Sequence, residues 1–194
     1  LGIAYVASYL NHHGHDAWLY NADFLNKQEY ASLRELFSGF IDYQRFFQNE
    51  EDDIWNSVVD RIIDFGPEWV GYTSYTANIS AIDIISRKVK KLNSNIKQVI
   101  GGVHATLDGE ILNKLSAIDY SVRREGEQAM LALVEGKDPA NISGVVSRDA
   151  IGLCNNGDAS VIKNIDNLLF LRERNFGQLH LRKNRPLMSH IFAV

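Results

Sequence analysis

Apolar residues recur along the chain at two different spacings. In residues 2–13, 54–65 and 82–92 they fall three or four positions apart, which predicts amphipathic helices. Shorter continuous runs of apolar and aromatic residues are typical of buried strands. The predicted strands cover residues 16–20, 69–73, 98–100, 119–122 and 145–146. Two further short helices are predicted over 109–115 and 128–134.

The order of these elements predicts the fold class. Strands that alternate with helices are joined by right-handed crossovers, which produce a parallel sheet covered on both faces. We therefore expect a doubly wound α/β domain over residues 1–150, with an aromatic-rich helical insertion over 24–50. Residues 151–194 lose the alternating pattern and are interpreted as a linker extension. Because such a sheet opens with a strand and this chain opens with a helix, we expect the first strand to precede residue 1.

The composition excludes several classes of protein. The 194 residues carry a formal net charge of -4, which is unlike a nucleic-acid binder. The lone Cys154 excludes a disulfide framework or a multi-thiolate metal site within the chain and indicates a cytoplasmic setting. Every apolar run is far shorter than the ~20 residues needed to span a bilayer, so no membrane segment is expected.

Ligands of parallel sheets bind beyond the carboxyl ends of the strands, so the loops there are the candidate sites. The loop after the strand at 69–73 is rich in hydroxyl and amide groups. Its candidate ligand-binding residues are Thr73, Ser74, Tyr75, Thr76 and Asn78. Either Thr76 or Asn78 could instead cap the following helix, and that alternative stays open.

The loop after the next strand opens with paired glycines, which allow a backbone to approach a ligand closely. Its candidate residues are Gly101, Gly102, His104, Ala105 and Thr106. The sequence has neither a G-x-G-x-x-G fingerprint nor a nucleoside-triphosphate P-loop. His104 could contact a ligand or brace the loop.

A third loop follows the strand at 119–122 and places two carboxylates around a glycine, in Glu125, Gly126 and Glu127. These acids could accept hydrogen bonds from a ligand. They could equally be ordinary acids at the start of the next helix, where the helix dipole favours negative charge.

Taken together, the loops resemble a known family. Thr73-x-Tyr75 followed by Gly101-Gly102 resembles the cobalamin-binding fingerprint, in which a Ser-x-Leu loop and a Gly-Gly loop hold the nucleotide tail of the cofactor. Thr73 keeps the hydroxyl of the family's Ser, whereas Tyr75 departs from its Leu. With the helix that starts at Gly2, the series looks like the N-terminal domain of cobalamin-dependent radical S-adenosylmethionine (SAM) enzymes over roughly residues 1–150.

The resemblance implies a flavodoxin-like, Rossmann-like sheet that binds cobalamin at its carboxyl edge. It implies a partner too, a catalytic barrel whose Cys-x-x-x-Cys-x-x-Cys motif holds a [4Fe–4S] cluster that cleaves SAM. This chain has no such motif, and residues 188–194 resemble the segment that enters the barrel. We therefore expect no catalytic residue here and an enzymatic parent of the methyltransferase or cyclase class. The family's axial histidine would lie before residue 1, so no cobalt ligand is expected.

The resemblance also implies roles for the loop residues. Thr73, Ser74 and Thr76 would hydrogen-bond the nucleotide, and Gly101 and Gly102 would admit it. His104 and Thr106 would reach its phosphate or the corrin amides, and Glu125 and Glu127 would accept from amide side arms.

Two alternatives remain. One is a degenerate domain of the same fold that has lost the cofactor and serves as a docking module, which the change from Leu to Tyr75 favours. The other is an α/β domain that binds a flavin or a nucleotide sugar.

Overall fold

A computed structural model of the protein describes residues 2–22, 46–160 and 190–193. Its helices are α1 (Gly2–His12), α2 (Asp53–Phe65), α3 (Ile79–Leu92), α4 (Val103–Leu107), α5 (Ile111–Lys114) and α6 (Glu127–Val134). Its strands are β1 (Asp16–Leu19), β2 (Trp69–Thr73), β3 (Lys97–Gly101), β4 (Tyr120–Val122), β5 (Val145–Arg148), β6 (Leu153–Asn155) and β7 (His190–Ala193). Most of the expected insertion over 24–50 lies outside the described residues, although residues 46–47 are helical.

The described strands form one sheet in the order β1-β7-β2-β3-β4-β5-β6. Pairing is parallel from β1 through β4, and the helices between these strands cover both faces. The expected doubly wound α/β fold is thereby confirmed.

One expectation about strand direction is wrong. The strand predicted near residue 145 is present, but β5 runs antiparallel to β4, and β6 runs antiparallel to β5. The reason is the short connection before β5. Helix α6 has only eight residues, and a turn at Gly136 and a 3-10 turn over Pro139–Asn141 bring the chain back to the edge it left. Gly144 O then accepts a hydrogen bond from Arg123 N, at 2.9 Å.

The segment interpreted as a linker contributes two strands to the sheet. Strand β6 forms the edge beyond β5, and β7 lies between β1 and β2, parallel to both. Backbone groups of β1 and β2 that would otherwise lack partners on that side are paired through β7. Residues 161–189 lie outside the described part of the chain.

The two faces of the sheet carry different cores. On the face covered by α2 and α3, which we call the packed face, the strands contribute large side chains such as Val70, Tyr72 and Ile100. These pack on Trp55 and Ile62 of α2, both fully buried. On the opposite face, which we call the cavity face, α1 and α6 cover the sheet with a smaller core.

A buried polar network lies on the packed face. The Tyr72 hydroxyl donates to Gln98 Oε1 at 2.5 Å, and Gln98 Nε2 donates to Ser86 O at 2.9 Å and Ala117 O at 3.1 Å. Burial raises the pKa of the Tyr72 phenol, which therefore stays a neutral donor. The network ties β2, β3 and α3 together without leaving the Gln98 amide unpaired.

Candidate binding site

A cavity of about 160 Å³ opens at the carboxyl edge of the sheet, on the cavity face. Its apolar walls are Ile3 and Val6 of α1, Val99 of β3, Val122 of β4 and Met130 of α6. The cavity exists because residues on this face of β2 and β3 include glycines where the packed face has large side chains.

The glycines around the cavity have two different roles: two of them leave space free, and one is required by the backbone of its loop. A Cβ on Gly71 would meet nothing within 4 Å, and one on Gly101 would meet only Val122 O at 3.7 Å. Side chains at these positions would therefore extend into free space. Gly102 differs, because its φ is +96° and a Cβ would lie 2.8 Å from the backbone N and O of Ser74. Gly102 is thus required by the loop itself.

Thr73 lines the cavity at the end of β2. Its position is fixed by Asn78, whose Nδ2 donates to Thr73 O at 2.9 Å. Asn78 Oδ1 accepts from Tyr75 N at 2.8 Å. Asn78 therefore braces the loop that presents Thr73.

Ser74 is fully buried and does not line the cavity. Its hydroxyl donates to Gly101 O at 2.6 Å and accepts from Ala105 N at 3.1 Å. Ser74 thus joins the first candidate loop to the Gly-Gly loop. Ala105, also fully buried, belongs to the core of the packed face.

The more exposed residues of these loops also contact one another. Thr76 Oγ1 lies 3.1 Å from His104 Nδ1, and His104 Nε2 lies 3.9 Å from a carboxylate oxygen of Asp108. Tyr75 is 56% exposed. None of these three predicted residues lines the cavity, and the contacts of Thr76 and His104 brace the rim of the sheet.

A single hydroxyl connects the second and third loops. Thr106 Oγ1 donates to Gly102 O at 2.9 Å and accepts from Arg124 N at 2.9 Å. Arg124 lines the cavity and has a φ of 62°, a left-handed conformation that is strained for a non-glycine residue. Thr106 therefore holds the cavity's rim from outside.

Asp158 fixes the same loop from the other side. It pairs with Arg123 at 2.9 Å and with the Arg124 guanidinium. The two arginines hold the pKa of the Asp158 carboxyl below its usual range. This ion-pair cluster joins the segment after β6 to the loop that carries Glu125 and Glu127.

Glu125, Gly126 and Glu127 all line the cavity. Glu127, the first residue of α6, is 4% exposed, and its Oε2 has no hydrogen-bond partner among the described residues. Burial raises the pKa of its carboxyl, and Glu125 acts in the same direction. The N–H groups of Glu127 and Gly126 oppose that shift.

The structure thus brings together about half of the predicted site residues. Those that line the cavity are Thr73, Gly101, Gly102, Glu125, Gly126 and Glu127. Sequence reasoning did not select Gly71 or Arg124 as site residues, nor the apolar walls. Gly71 carried a signal, because a glycine inside a strand often marks the close approach of a ligand.

The cavity fits a flat aromatic group with polar attachments. An apolar cavity of about 150 Å³ holds one benzene ring, and this one is of that size. Its polar groups, including Thr73, Glu125 and Glu127, lie beside the apolar walls. The nucleotide tail of cobalamin, a planar base on a ribose phosphate, has this chemistry. The described residues contain no cluster of His, Cys, Asp or Glu able to hold a metal ion, and none of their helices could cross a bilayer.

Two curated proteins share part of this sequence. An uncharacterized methyltransferase of Pyrococcus horikoshii is 28% identical over 123 residues, 61% of this chain. An anaerobic magnesium-protoporphyrin IX monomethyl ester cyclase of Rubrivivax gelatinosus is 36% identical over 84 residues, 43% of this chain. The alignments cover only 27% and 15% of these two relatives.

A solved structure was also found to be similar. It is the radical S-adenosylmethionine methyltransferase TsrM from Kitasatospora setae, with cobalamin and a [4Fe-4S] cluster bound. The match covers 77% of this chain and 30% of that chain, at 18% identity and a TM-score of 0.49.

A family model described as the B12 binding domain matches residues 1–134. That match covers more than half of the chain and confirms the resemblance seen in the loops after β2 and β3. The protein therefore belongs to the B12-binding domain family.

Proposed function

We propose that this chain binds cobalamin at the carboxyl edge of its sheet, with the nucleotide tail of the cofactor in the cavity between the sheet and helices α1 and α6. The observation that carries the proposal is the space above Gly71 and Gly101, where neither glycine's Cβ would touch a side chain. Family membership supports the choice of cobalamin over other ligands with a flat aromatic group.

Some residues of the chain would contact the cofactor, and others would hold the binding loops in place. The apolar walls would exclude water from the planar base, and the Thr73 hydroxyl would hydrogen-bond a polar atom of the tail, as buried polar groups require. Glu125, which is only partly buried, would accept from amide side arms near the cavity's mouth. Ser74, Asn78 and Thr106 would hold the loops in place through the bonds described above.

We further propose that the whole protein is a radical SAM enzyme. Bound cobalamin would supply a cobalt centre that carries a methyl group or tunes a radical step. A separate barrel of the same polypeptide would hold the [4Fe–4S] cluster and SAM. The names of the two relatives, a methyltransferase and a cyclase, support methyl transfer or ring formation as the reaction class.

The test is to fill the cavity from within the sheet. Gly71 has no positive φ and a free Cβ direction, so Gly71→Ala and Gly71→Leu should be accepted by β2. Wild-type protein is mixed with hydroxocobalamin, desalted, and examined for corrin absorbance and cobalt content. We expect about one corrinoid per chain in the wild type, less in Gly71→Ala, and none in Gly71→Leu, with melting temperatures unchanged or raised.

Two controls make the result specific. Leu92→Ala changes an exposed residue at the far end of α3 and should bind as the wild type does. Flavin mononucleotide offered in place of hydroxocobalamin should not be retained. Corrin retention by Gly71→Leu equal to that of the wild type would refute the proposed site, and no retention by the wild type would refute the proposed function. Gly102 is a poor position for this test, because any side chain there disrupts the loop.

A further inference from the structure

Glu127 is a buried acid with one carboxyl oxygen that no other described group hydrogen-bonds. The residue lines the cavity, only 4% of it is exposed, and its Oε2 has no hydrogen-bond partner among the described residues. The other buried oxygen of this kind, Ser121 Oγ, does not line the cavity. Among the described residues, Glu127 is therefore the cavity-lining residue that has an unpaired buried oxygen.

A buried carboxyl oxygen without a hydrogen bond is costly, so Oε2 calls for a partner. The apolar cavity walls, which include Ile3, Val6, Val122 and Met130, have no side-chain group that donates a hydrogen bond to a carboxylate oxygen. A molecule that fills the cavity would bring a hydrogen-bonding group close to this residue. Glu125 contrasts with Glu127, because it is only partly buried and is reachable from the solvent side.

We infer that Glu127 is a specificity-determining residue that hydrogen-bonds the lower base of the cofactor's nucleotide tail, with an aromatic ring nitrogen as its partner. The inference rests on the proposed function. It differs from the role expected from the sequence, in which Glu127 accepts from amide side arms of the corrin.

The chemistry of the pair is matched. Burial raises the pKa of the Glu127 carboxyl, so it keeps its proton to a higher pH than an ordinary glutamate does. When protonated it has one O–H to donate, and an aromatic ring nitrogen offers a lone pair but no proton. A phenolic lower ligand of similar size lacks that nitrogen and would leave the carboxyl unpaired. A site that hydrogen-bonds one ligand group discriminates against an analogue that lacks it.

Three corrinoids separate the possible roles of Glu127. Cobalamin has a dimethylbenzimidazole base with a free ring nitrogen when its tail is extended, p-cresolyl cobamide has a tail with no ring nitrogen, and cobinamide has no nucleotide tail. Dissociation constants are measured for the wild type, Glu127→Gln and Glu127→Leu. Glu125→Gln serves as the matched control at a neighbouring acid.

We expect the wild type to bind cobalamin about tenfold more tightly than p-cresolyl cobamide, the difference made by one hydrogen bond. Glu127→Leu should reduce this ratio to about one and leave the affinity for cobinamide unchanged. Glu127→Gln, whose amide can still donate, should keep part of the preference. Glu125→Gln should change the three affinities alike and keep the whole ratio, because the amide side arms that Glu125 would contact are common to the three corrinoids.

A second measurement separates recognition from folding. Removal of an unpaired buried carboxyl should leave the melting temperature of the ligand-free protein unchanged or raise it. A lowered melting temperature of Glu127→Leu, or a ratio that survives this substitution, would overturn the inference, as would an equal loss of affinity for cobinamide. If the wild type binds none of the three corrinoids, both the proposed function and this inference are refuted. Equal affinity of the wild type for cobalamin and p-cresolyl cobamide, with weaker binding of cobinamide, overturns the inference alone.

Discussion

The packed face and the cavity face are built from alternate residues of the same strands. Large side chains fill the first, whereas an open cavity remains on the second. On β2 and β3 the packed face receives Val70, Tyr72 and Ile100, whose side chains meet α2 and α3 with no more than 2% exposure. The cavity face receives Gly71 of β2 and Gly101 of β3, and α1 and α6 do not close the space that remains. A shift of one residue in register would exchange these two faces.

The polar groups of the two faces differ in the same way. On the packed face, the Gln98 amide and the Tyr72 hydroxyl satisfy each other and two backbone carbonyls. On the cavity face, Glu127 Oε2 is buried without a partner among the described residues. A satisfied buried network is part of the framework, whereas an unsatisfied group beside a cavity marks a place for a ligand.

The largest effect should follow from a truncation on the packed face. Trp55 is fully buried in α2, and its Nε1 donates to Phe46 O at 3.1 Å. Trp55→Ala should lower the free energy of unfolding by about 3–5 kcal/mol, because it removes an aromatic side chain and leaves a cavity. Urea titration measures the loss. A change below about 1 kcal/mol would show that this face is not the main source of stability.

A smaller loss is expected when the buried network is broken. Tyr72→Phe leaves Gln98 Oε1 without its donor and should cost about 1–3 kcal/mol. The matched control is Tyr120→Phe at the half-buried tyrosine of β4, which should change stability by no more than about 0.5 kcal/mol. Equal effects of the two substitutions in thermal unfolding would contradict the role given to the network.

A substitution at the rim of the cavity should affect the affinity for cobalamin more than the free energy of unfolding. Thr106→Val removes the hydroxyl that joins Gly102 O to Arg124 N and should cost about 0.5–1.5 kcal/mol of stability. It should also weaken hydroxocobalamin binding several-fold, since the two loops lose their common support. Thr106→Ser keeps the hydroxyl and should restore most of the affinity. If Ser and Val at this position behave alike in a binding titration, the bridge has no part in holding the rim.

The smallest effect concerns pH. Because the pKa of Glu127 is raised in the folded protein, the folded state binds this proton more tightly than the unfolded state does. Its contribution to stability is complete below about pH 4.5, the ordinary glutamate value, and is lost as pH rises through the raised pKa. Glu127→Gln should remove this decline from the ligand-free protein. Parallel curves of unfolding free energy against pH for the two proteins would contradict the assignment.

Much of the framework could be predicted from local pattern. The predicted strand at 69–73 coincides with β2, and the helical spacing of Ile82, Ile85 and Val89 places all three in the core. Leu92 continues the same spacing but is 60% exposed, because it is the last residue of α3. Periodicity identifies the buried side of a helix, but it does not say where the neighbouring element ends.

The direction of β5 and the membership of β6 and β7 could not be predicted in this way. Parallel or antiparallel pairing depends on where a connection returns the chain, and the turns at Gly136 and Pro139–Asn141 decide that for β5. Strand β7 is far along the sequence from both of its neighbours. Such pairings are properties of the assembled sheet rather than of a local window.

The candidate site was predictable in its loops and less so in its side chains. Motif and position selected Thr73, Gly101 and Glu127, which line the cavity, but also Ser74 and Asn78, whose polar groups bond to the protein instead. Hydroxyl and amide groups serve equally to bind a ligand or to brace a loop, and sequence alone does not separate these uses. The cavity itself depends on the absence of side chains at Gly71 and Gly101, which lie on adjacent strands and come near each other only in the sheet.

The contrast between Gly102 and Gly71 bears on how gene sequences of this family can be interpreted. Gly102 is demanded by backbone contacts with Ser74, so a descendant that no longer carries the cofactor would still be selected to retain it. Gly71 has no such contacts, and only the need to keep the cavity open favours glycine there. Once the ligand is gone, a larger residue at this position would fill the empty space and improve the packing of the domain. Loss of the cofactor during evolution should therefore be recorded first at positions 71 and 101, while Gly102 persists.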